Sequence, residues 1–265
     1  MIDQELFKGT AEYYAKYRPG YTSEFFDYII RYFNLNGEGR LLDVGCGTGQ
    51  LAIPLAKNFD EVVGLDPEQE MLDEAKVQAE KAGVGNISWL CARAEDLSEN
   101  SGVFRLTTVG AALHWMDQKV VLQKIYDHAE VGGGLAVVYD SAGSWATKDE
   151  STDPWQKKVR EILKKYLGEQ RRAGNTFYQK PEEEFDDLVE QSPFGACEVW
   201  AHEYTKEWSV ESIMGFLYST SFASRRLLGE RVGEFESEIK TELSKIEPSG
   251  SFVEQAEIEA IVAKK

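Results

Sequence analysis

Asp43-Val44-Gly45-Cys46-Gly47-Thr48-Gly49 sets a carboxylate just ahead of three alternating glycines, after the apolar pair Leu41-Leu42 and before an apolar pattern that opens at Leu51. Glycines at a strand-to-helix junction let the backbone turn sharply and approach a ligand where a Cβ would collide, and the helix that follows presents free backbone N–H groups. That is the chemistry of a nucleoside cradle. The Gly-x-Gly-x-Gly spacing departs from the Gly-x-Gly-x-x-Gly fingerprint, in which a helix N-terminus holds a dinucleotide pyrophosphate. A second carboxylate, Asp66, ends the run Val62-Val63-Gly64-Leu65. About 20 residues beyond the glycines, such a group can accept hydrogen bonds from both hydroxyls of a ribose, or it can cap the next helix. Asp43 can brace the loop, face a cation, or do both. Glu95 and Asp96 close a third apolar run, and His114 stands at the end of a fourth. An imidazole there can take a proton near neutral pH, orient a substrate, or simply pack. His128 and His202 fall on a predicted helix and strand and read as structural.

These residues sit at the ends of short apolar runs that alternate with helix-length amphipathic segments, the pattern of βαβ units around a parallel sheet. Strands are predicted over 40–44, 61–65, 87–90, 104–111 and 134–139, and helices over 51–57, 69–82 and 118–128. Pro54 lies inside the first helix and should kink it or confine it to an early turn. After Asp140 the alternation stops. Helices follow over 154–167 and 181–191, each opened by a proline at a tolerated first-turn position, with a charged loop over 168–179 between them. A strand over 196–206, helical segments over 209–228 and 230–246, and a last strand over 251–262 complete the chain. The last strand alternates imperfectly, as an antiparallel strand near a sheet edge does.

The 265 residues carry 29 Lys and Arg against 46 Asp and Glu, a net charge of −17. Such a chain repels a phosphate backbone, so nucleic-acid substrates are not expected. Anionic membranes are disfavoured on the same ground, with Arg171-Arg172 and Arg225-Arg226 as local exceptions. The start, Met1-Ile2-Asp3-Gln4-Glu5, lacks the basic and apolar run of a secretory signal, and no segment has the apolar length of a membrane span. A cytoplasmic location is the expectation. Cys46, Cys91 and Cys197 lack metal-ligand spacing and read as reduced thiols; no metal site is predicted.

The Asp43–Gly49 motif resembles the first motif of class I S-adenosylmethionine (SAM)-dependent methyltransferases. The resemblance implies an α/β fold: a Rossmann-like, seven-stranded, mostly parallel sheet with an antiparallel last strand, helices on both faces and helical lid insertions. It implies one SAM-binding domain over 1–265, with a core of about 39–140, 182–206 and 250–265 and lid elements of about 1–30, 145–180 and 208–248. Gly45, Gly47 and Gly49 would form the turn, Asp43 would face the methionyl amino group and Asp66 would hold the ribose. Pro67 and Met71 would flank the adenosine, Met71 being equally suited to the core. Ala94 would offer backbone, and Glu95 or Asp96 an acceptor, near the exocyclic amine; the choice between the two acids stays open.

His114-Trp115 is similar to the pair found in a small-molecule subgroup that includes the trans-aconitate and juvenile-hormone-acid types. The stretch from Gly9 to Tyr21 resembles that subgroup too: Arg18 would pair with the methionyl carboxylate, and Tyr13, Tyr14 and Tyr17 would line the acceptor pocket or pack as a surface helix. The stretch from Trp208 to Ser221 is similar to its substrate-side insertion, with Trp208, Phe216 and Tyr218 as aromatic surface and Ser221 as a polar handle, joined by Trp145 and Phe222. Arg105 departs from the acidic residue common at its position, far from the expected mouth. The implied reaction is O-methylation of a carboxylate or hydroxyl on a small, partly apolar molecule, leaving S-adenosylhomocysteine, by a monomer or homodimer. A catalytically silent SAM-binding scaffold and a nucleotide-cofactor oxidoreductase are the alternatives.

Overall fold

The computed structural model describes residues 6–147, 153–173, 176–178 and 183–265. Strands β1 (Arg40–Val44), β2 (Glu61–Asp66), β3 (Ile87–Cys91), β4 (Phe104–Gly110), β5 (Ala129–Asp140), β8 (Glu198–Ser209) and β9 (Ser251–Lys264) form one sheet in the order β3-β2-β1-β4-β5-β9-β8. The pairs β1–β2, β1–β4, β2–β3 and β4–β5 are parallel, and β9 runs antiparallel to β5. The sheet is the seven-stranded Rossmann-like arrangement that the resemblance implies. The last strand lies next to the edge, between β5 and the edge strand β8. Its Ile258–Lys264 half therefore loses the alternation of its first half, because nearly every side chain there is buried.

Strand order reverses between β1 and β4: β2 lies on one side of β1 and β4 on the other. In open parallel sheets ligands bind at the carboxyl ends of the strands beside such a reversal. Asp43 is in register with Thr108 of β4 and with Gly64 of β2.

Between the strands lie α3 (Ala52–Leu55), α4 (Gln69–Ala82) and α5 (Gln118–His128), after α1 (Ala11–Tyr17) and α2 (Ser23–Tyr32). Helix α3 is shorter than the predicted 51–57 and passes into a 3-10 turn at Ala56–Asn58, with Pro54 confined to it. Helix α4 buries Met71, Leu72, Ala75 and Ala79 on one face and stops at Gly83, whose φ of +70° is the left-handed cap position. Asp117 caps α5 by accepting the Val120 N–H at 3.3 Å.

Farther on come α6 (Pro154–Leu167), the two-residue strands β6 (Arg172–Ala173) and β7 (Thr176–Phe177), α7 (Phe185–Gln191), α8 (Val210–Tyr218), α9 (Arg225–Leu228) and α10 (Val232–Ile246). Pro181, expected to open a helix, lies outside the described residues. The predicted loop over 168–179 contains the β6–β7 pair. The predicted helix over 209–228 breaks after Tyr218. Ser219 and Thr220 donate their hydroxyls back to the Phe216 and Leu217 carbonyls at 2.6 and 2.7 Å, and Thr220 Oγ1 accepts the Ala223 N–H at 3.1 Å. These local bonds compete with the helical ladder.

The chain separates into two compact units, with one boundary within β8 and another within β9. One comprises residues 20–140, 180–202 and 258–265, with a core that includes Leu42, Val44, Leu65, Val109, Leu135 and Val137. The other comprises residues 1–19, 141–179 and 203–257, with an aromatic core that includes Trp145, Trp155, Trp208, Phe216 and Phe235. Among the described residues no helix is long and apolar enough to cross a membrane.

Candidate functional site

Three glycines make the β1–α3 turn in left-handed backbone: φ is +67° at Gly45, +52° at Gly47 and +90° at Gly49. A Cβ on Gly45 would stand 2.5 Å from the Cβ of Ala112, and one on Gly49 would stand 2.7 Å from Cδ1 of Ile53 and 3.1 Å from the Trp89 ring. Neither position has room for a side chain. The turn is tied down from within. Gly45 and Cys46 both donate their N–H groups to the Leu65 carbonyl, Gly49 donates to Cys46, and Gly47 donates to Asp66 Oδ2 at 2.9 Å. The N–H groups expected to await a ligand are in good part already used.

Asp43 is 1% exposed. Its Oδ1 accepts the Thr108 hydroxyl at 2.7 Å, a consequence of the β1–β4 register, and its Oδ2 accepts the Ala52 N–H at the start of α3 at 3.1 Å. Burial pushes its carboxyl up to about 7, against the pull of those two donors, and the nearby charge of Asp66 adds to the rise. Asp66 is buried as well, and burial raises it too, against the N–H bonds from Glu68 and Gly47. Each Asp66 oxygen accepts one backbone N–H, so a second acceptor direction remains on each, two in all. The buried Cys46 thiol is held well above its ordinary range, first by burial and then by the charges of Asp43 and Asp66. It is an inert filler, not a nucleophile.

Beyond β3, Ala94–Asp96 forms a 3-10 turn. Ala94 is buried and Asp96 exposed. Glu95 Oε1 accepts the Asp117 N–H at 2.9 Å and lies 3.1 Å from the Arg93 guanidinium. Burial works to raise the Glu95 carboxyl, but the Asp117 N–H and Arg93 outweigh it and leave it lowered. Glu95 thus ties the turn after β3 to the segment after β4. Pro67 is exposed at the head of α4 and Met71 is buried on it.

At the end of β4, Ala111 takes a φ of +50°, an uncommon conformation for a residue with a Cβ and a form of strain that collects at functional sites. The next turn, Leu113–Trp115, sets the His114 and Trp115 rings 4.5 Å apart, both half-buried. The structure therefore brings Asp43, the glycines, Asp66, Pro67, Met71, the Ala94–Asp96 turn, His114 and Trp115 into one unit, at or just beyond the carboxyl ends of β1, β2, β3 and β4. Arg105, at the opposite end of β4, donates to Asn36 and to the Asn34 and Glu38 carbonyls. His128 bonds the Lys124 and Ser98 carbonyls through its two ring nitrogens, and His202 stacks on Trp200.

The other sequence-predicted residues belong to the second unit. Tyr13 stacks on Tyr17 and meets Tyr218 edge-on, with ring centroids 6.3 and 5.3 Å apart. The Tyr17 ring lies where a Cβ on Gly215 would stand, and its hydroxyl donates to Glu211 at 2.7 Å. The Arg18 guanidinium lies 4.9 Å from the Tyr14 ring and 5.1 Å from the Phe216 ring, and donates to the Ser219 carbonyl at 3.4 Å. Its Nε is buried without a hydrogen-bond partner. Trp208, Tyr218 and Ser221 are all buried. Trp208 Nε1 donates to Glu254 at 2.8 Å, and the Tyr218 hydroxyl donates to Glu236 at 3.0 Å.

Sequence reasoning passed over three contributors. Thr108 sits opposite Asp43, a relation visible only once strands pair. Trp89 fills the space beside Gly64 and Gly49, and the Tyr21 hydroxyl lies 2.6 Å from where a Cβ on Gly110 would stand. The glycines facing these rings were the available signal. Among the described residues no cluster of His, Cys, Asp and Glu could hold a metal ion.

Residues 41–133 match the family model of a methyltransferase domain. An uncharacterized methyltransferase of Schizosaccharomyces pombe is 26% identical over 229 residues, 85% of this chain and 82% of its own. An uncharacterized methyltransferase of Mycobacterium tuberculosis is 29% identical over 150 residues, 57% of this chain and 55% of its own, so the match spans about half of that relative. The solved structure of a SAM-dependent methyltransferase from Thiobacillus denitrificans, in complex with S-adenosyl-L-homocysteine, covers 100% of both chains with a TM-score of 0.53 and 16% identity, a likeness of fold.

Proposed function

We propose that this chain is a class I SAM-dependent methyltransferase and that it acts on a small, partly apolar molecule, methylating an oxygen of a carboxylate or hydroxyl. The observation that carries the reading is the pair of buried carboxylates around a glycine turn whose N–H groups are largely engaged by the protein itself. A dinucleotide pyrophosphate would meet two carboxylates and few open donors. A nucleoside carrying sulfonium and ammonium charges would meet complementary ones.

When bound, SAM supplies a methyl group carried on a sulfonium. Asp66 holds the ribose hydroxyls on its two remaining acceptor directions while still bracing Gly47. Asp43 faces the methionyl ammonium, and Pro67, Met71 and Ala94 flank the adenosine. Asp96, the exposed acid of its pair, accepts from the adenine amine, since Glu95 is occupied by Asp117 and Arg93. Arg18 takes the methionyl carboxylate; its rigid placement between two aromatic faces and its buried Nε support that role.

His114 stands on the acceptor side. It removes the proton of a hydroxyl acceptor or orients a carboxylate, which needs no base. Trp115, Tyr13, Tyr14, Tyr17, Trp208, Tyr218 and Ser221 shape the acceptor's apolar surroundings. Methyl transfer requires the acceptor atom held close and in line, so placement is the main demand on them.

A thermal-shift comparison tests the donor. SAM and S-adenosylhomocysteine should raise the melting temperature and NAD should not, because only a ligand of the folded state adds stability by mass action. Stabilisation by NAD alone would overturn the assignment. Transfer of labelled methyl from SAM to a panel of carboxylates, phenols and amines tests the acceptor, and labelling of amines only would refute the O-methylation reading.

A further inference from the structure

The Ala94–Asp96 turn and the residues that leave it are tied to both ends of α5. At the start of the helix the Asp117 N–H donates to Glu95 Oε1 at 2.9 Å. Toward its end Lys124 Nζ donates to the Leu97 carbonyl at 2.5 Å, and the His128 ring bonds the Ser98 carbonyl through Nε2 at 2.8 Å. Lys124 and His128 lie four residues apart on α5 and so share a face. They take the two successive carbonyls that follow Asp96. His128 is buried, and its other nitrogen bonds the Lys124 carbonyl of its own helix at 2.7 Å, which fixes the ring. Ala94 and Leu97 sink into the same core as Val121 and Ile125 of that helix. All of these residues belong to the unit made of residues 20–140, 180–202 and 258–265.

A carboxylate accepts from an exocyclic amine only when the two stand about 3 Å apart, so reading a base demands a turn that does not drift. We propose, on the SAM reading in which this turn meets the adenine, that Lys124 and His128 are positioning residues for the base: by holding the Leu97 and Ser98 carbonyls they set where Ala94 and Asp96 stand. Selectivity for the base is then built on α5, by side chains that need not touch the donor. The other two carboxylates of the site are anchored elsewhere, Asp43 by Thr108 and Ala52 and Asp66 by Gly47 and Glu68. Loss of the α5 anchors is therefore felt at the base and spares the ribose and the methionyl group.

The test is isothermal titration of the full chain with S-adenosylhomocysteine and, separately, with S-inosylhomocysteine, whose base carries an oxo group in place of the amine. The wild type should prefer the adenosine compound about tenfold or more, because the acceptor that the amine satisfies is left facing a carbonyl. Lys124→Met keeps the apolar stem and removes the donor, and His128→Leu removes the ring; Lys124 is half-buried, so Lys124→Met decides if His128→Leu does not fold. In these variants the preference should shrink to about threefold or less, through weaker binding of S-adenosylhomocysteine with S-inosylhomocysteine little changed. Lys124→Arg, which keeps a donor, should keep the preference. A role in folding alone would lower the melting temperature and leave the ratio of the two Kd values where it was. A ratio unchanged in both Lys124→Met and His128→Leu, or a wild type that binds the two compounds equally, would overturn the proposal and leave the SAM reading standing. Binding of neither compound by the wild type would refute the SAM reading and this proposal with it.

Discussion

Replacing Asp43 with asparagine should make the protein more stable above pH 7 and worse at holding its methyl donor. Burial lifts the Asp43 carboxyl to about 7, against 3.8 for an ordinary aspartate. Between those values the folded chain keeps a proton that the unfolded chain has released, so stability falls as pH rises across that window and changes no further above it. The separation of about three pH units, at 1.36 kcal/mol each, corresponds to roughly 4 kcal/mol. Asparagine keeps the shape and both contacts: its carbonyl can accept the Ala52 N–H and its amide can donate to the Thr108 hydroxyl. It never carries the buried charge. Denaturant titrations of both proteins from pH 4.5 to 8 should therefore diverge, the wild type losing about 3 kcal/mol relative to Asp43→Asn over that range. Asp66, raised in the same direction, acts in both proteins and largely cancels from the comparison. At pH 8 the variant should bind SAM about tenfold more weakly or worse, as a loss of about 1.4 kcal/mol in attraction for the ammonium implies. Parallel stability curves for the two proteins, or equal SAM affinity at pH 8, would refute the reasoning.

Three further changes separate the parts of the site. Asp66→Ala should abolish the SAM-induced thermal shift, whereas His114→Ala should keep it and lower kcat for a hydroxyl acceptor by about 10² or more; loss of the shift in both would sink the division into donor and acceptor residues. Gly45→Ala puts a Cβ 2.5 Å from that of Ala112 at a φ of +67°, so left-handed strain and overpacking should together cost about 2–4 kcal/mol in denaturant unfolding. An unchanged unfolding midpoint would show that the turn can move. Trp208→Phe removes an indole donor from the buried Glu254 carboxylate and should cost about 1.5–3 kcal/mol, more than the same change at half-buried Trp115. Equal costs at the two positions would contradict the role given to Glu254.

Much of this was legible because it is local. The glycines, the runs that end in Asp43 and Asp66, and the helices over 69–82, 118–128 and 154–167 follow from spacing, caps and prolines a few residues apart. What escaped depends on pairing. Thr108 matters because β4 lies beside β1 in one register, and Trp89 because β3 carries it across Gly64. The helix over 209–228 failed for a different reason: Ser219 and Thr220 read as tolerable helix residues, yet their hydroxyls find nearer partners in the backbone. The polar atoms of Trp208 and Tyr218 are bound to Glu254 and Glu236 within the unit's own packing, partners that the spacing of aromatics does not reveal.

The glycine spacing has a physical reason that the hydrogen bonds supply. In a dinucleotide fold the turn must leave N–H groups open toward a pyrophosphate, and a carboxylate at its base would oppose the ligand. Here Asp43 already occupies the Ala52 N–H at the head of α3, and Asp66 occupies the Gly47 N–H. The negative charge that a helix N-terminus attracts is thus built into the protein, and what remains uncompensated around the turn is anionic. Burial makes that charge costly, which lifts both carboxyls, so a cation bound beside them would lower both again and take up a share of the cost. Donor binding should therefore release protons near pH 7. Titrating SAM in buffers of different ionisation enthalpy would measure the number released, and a value of zero at that pH would mean that neither carboxylate faces the ligand's charge.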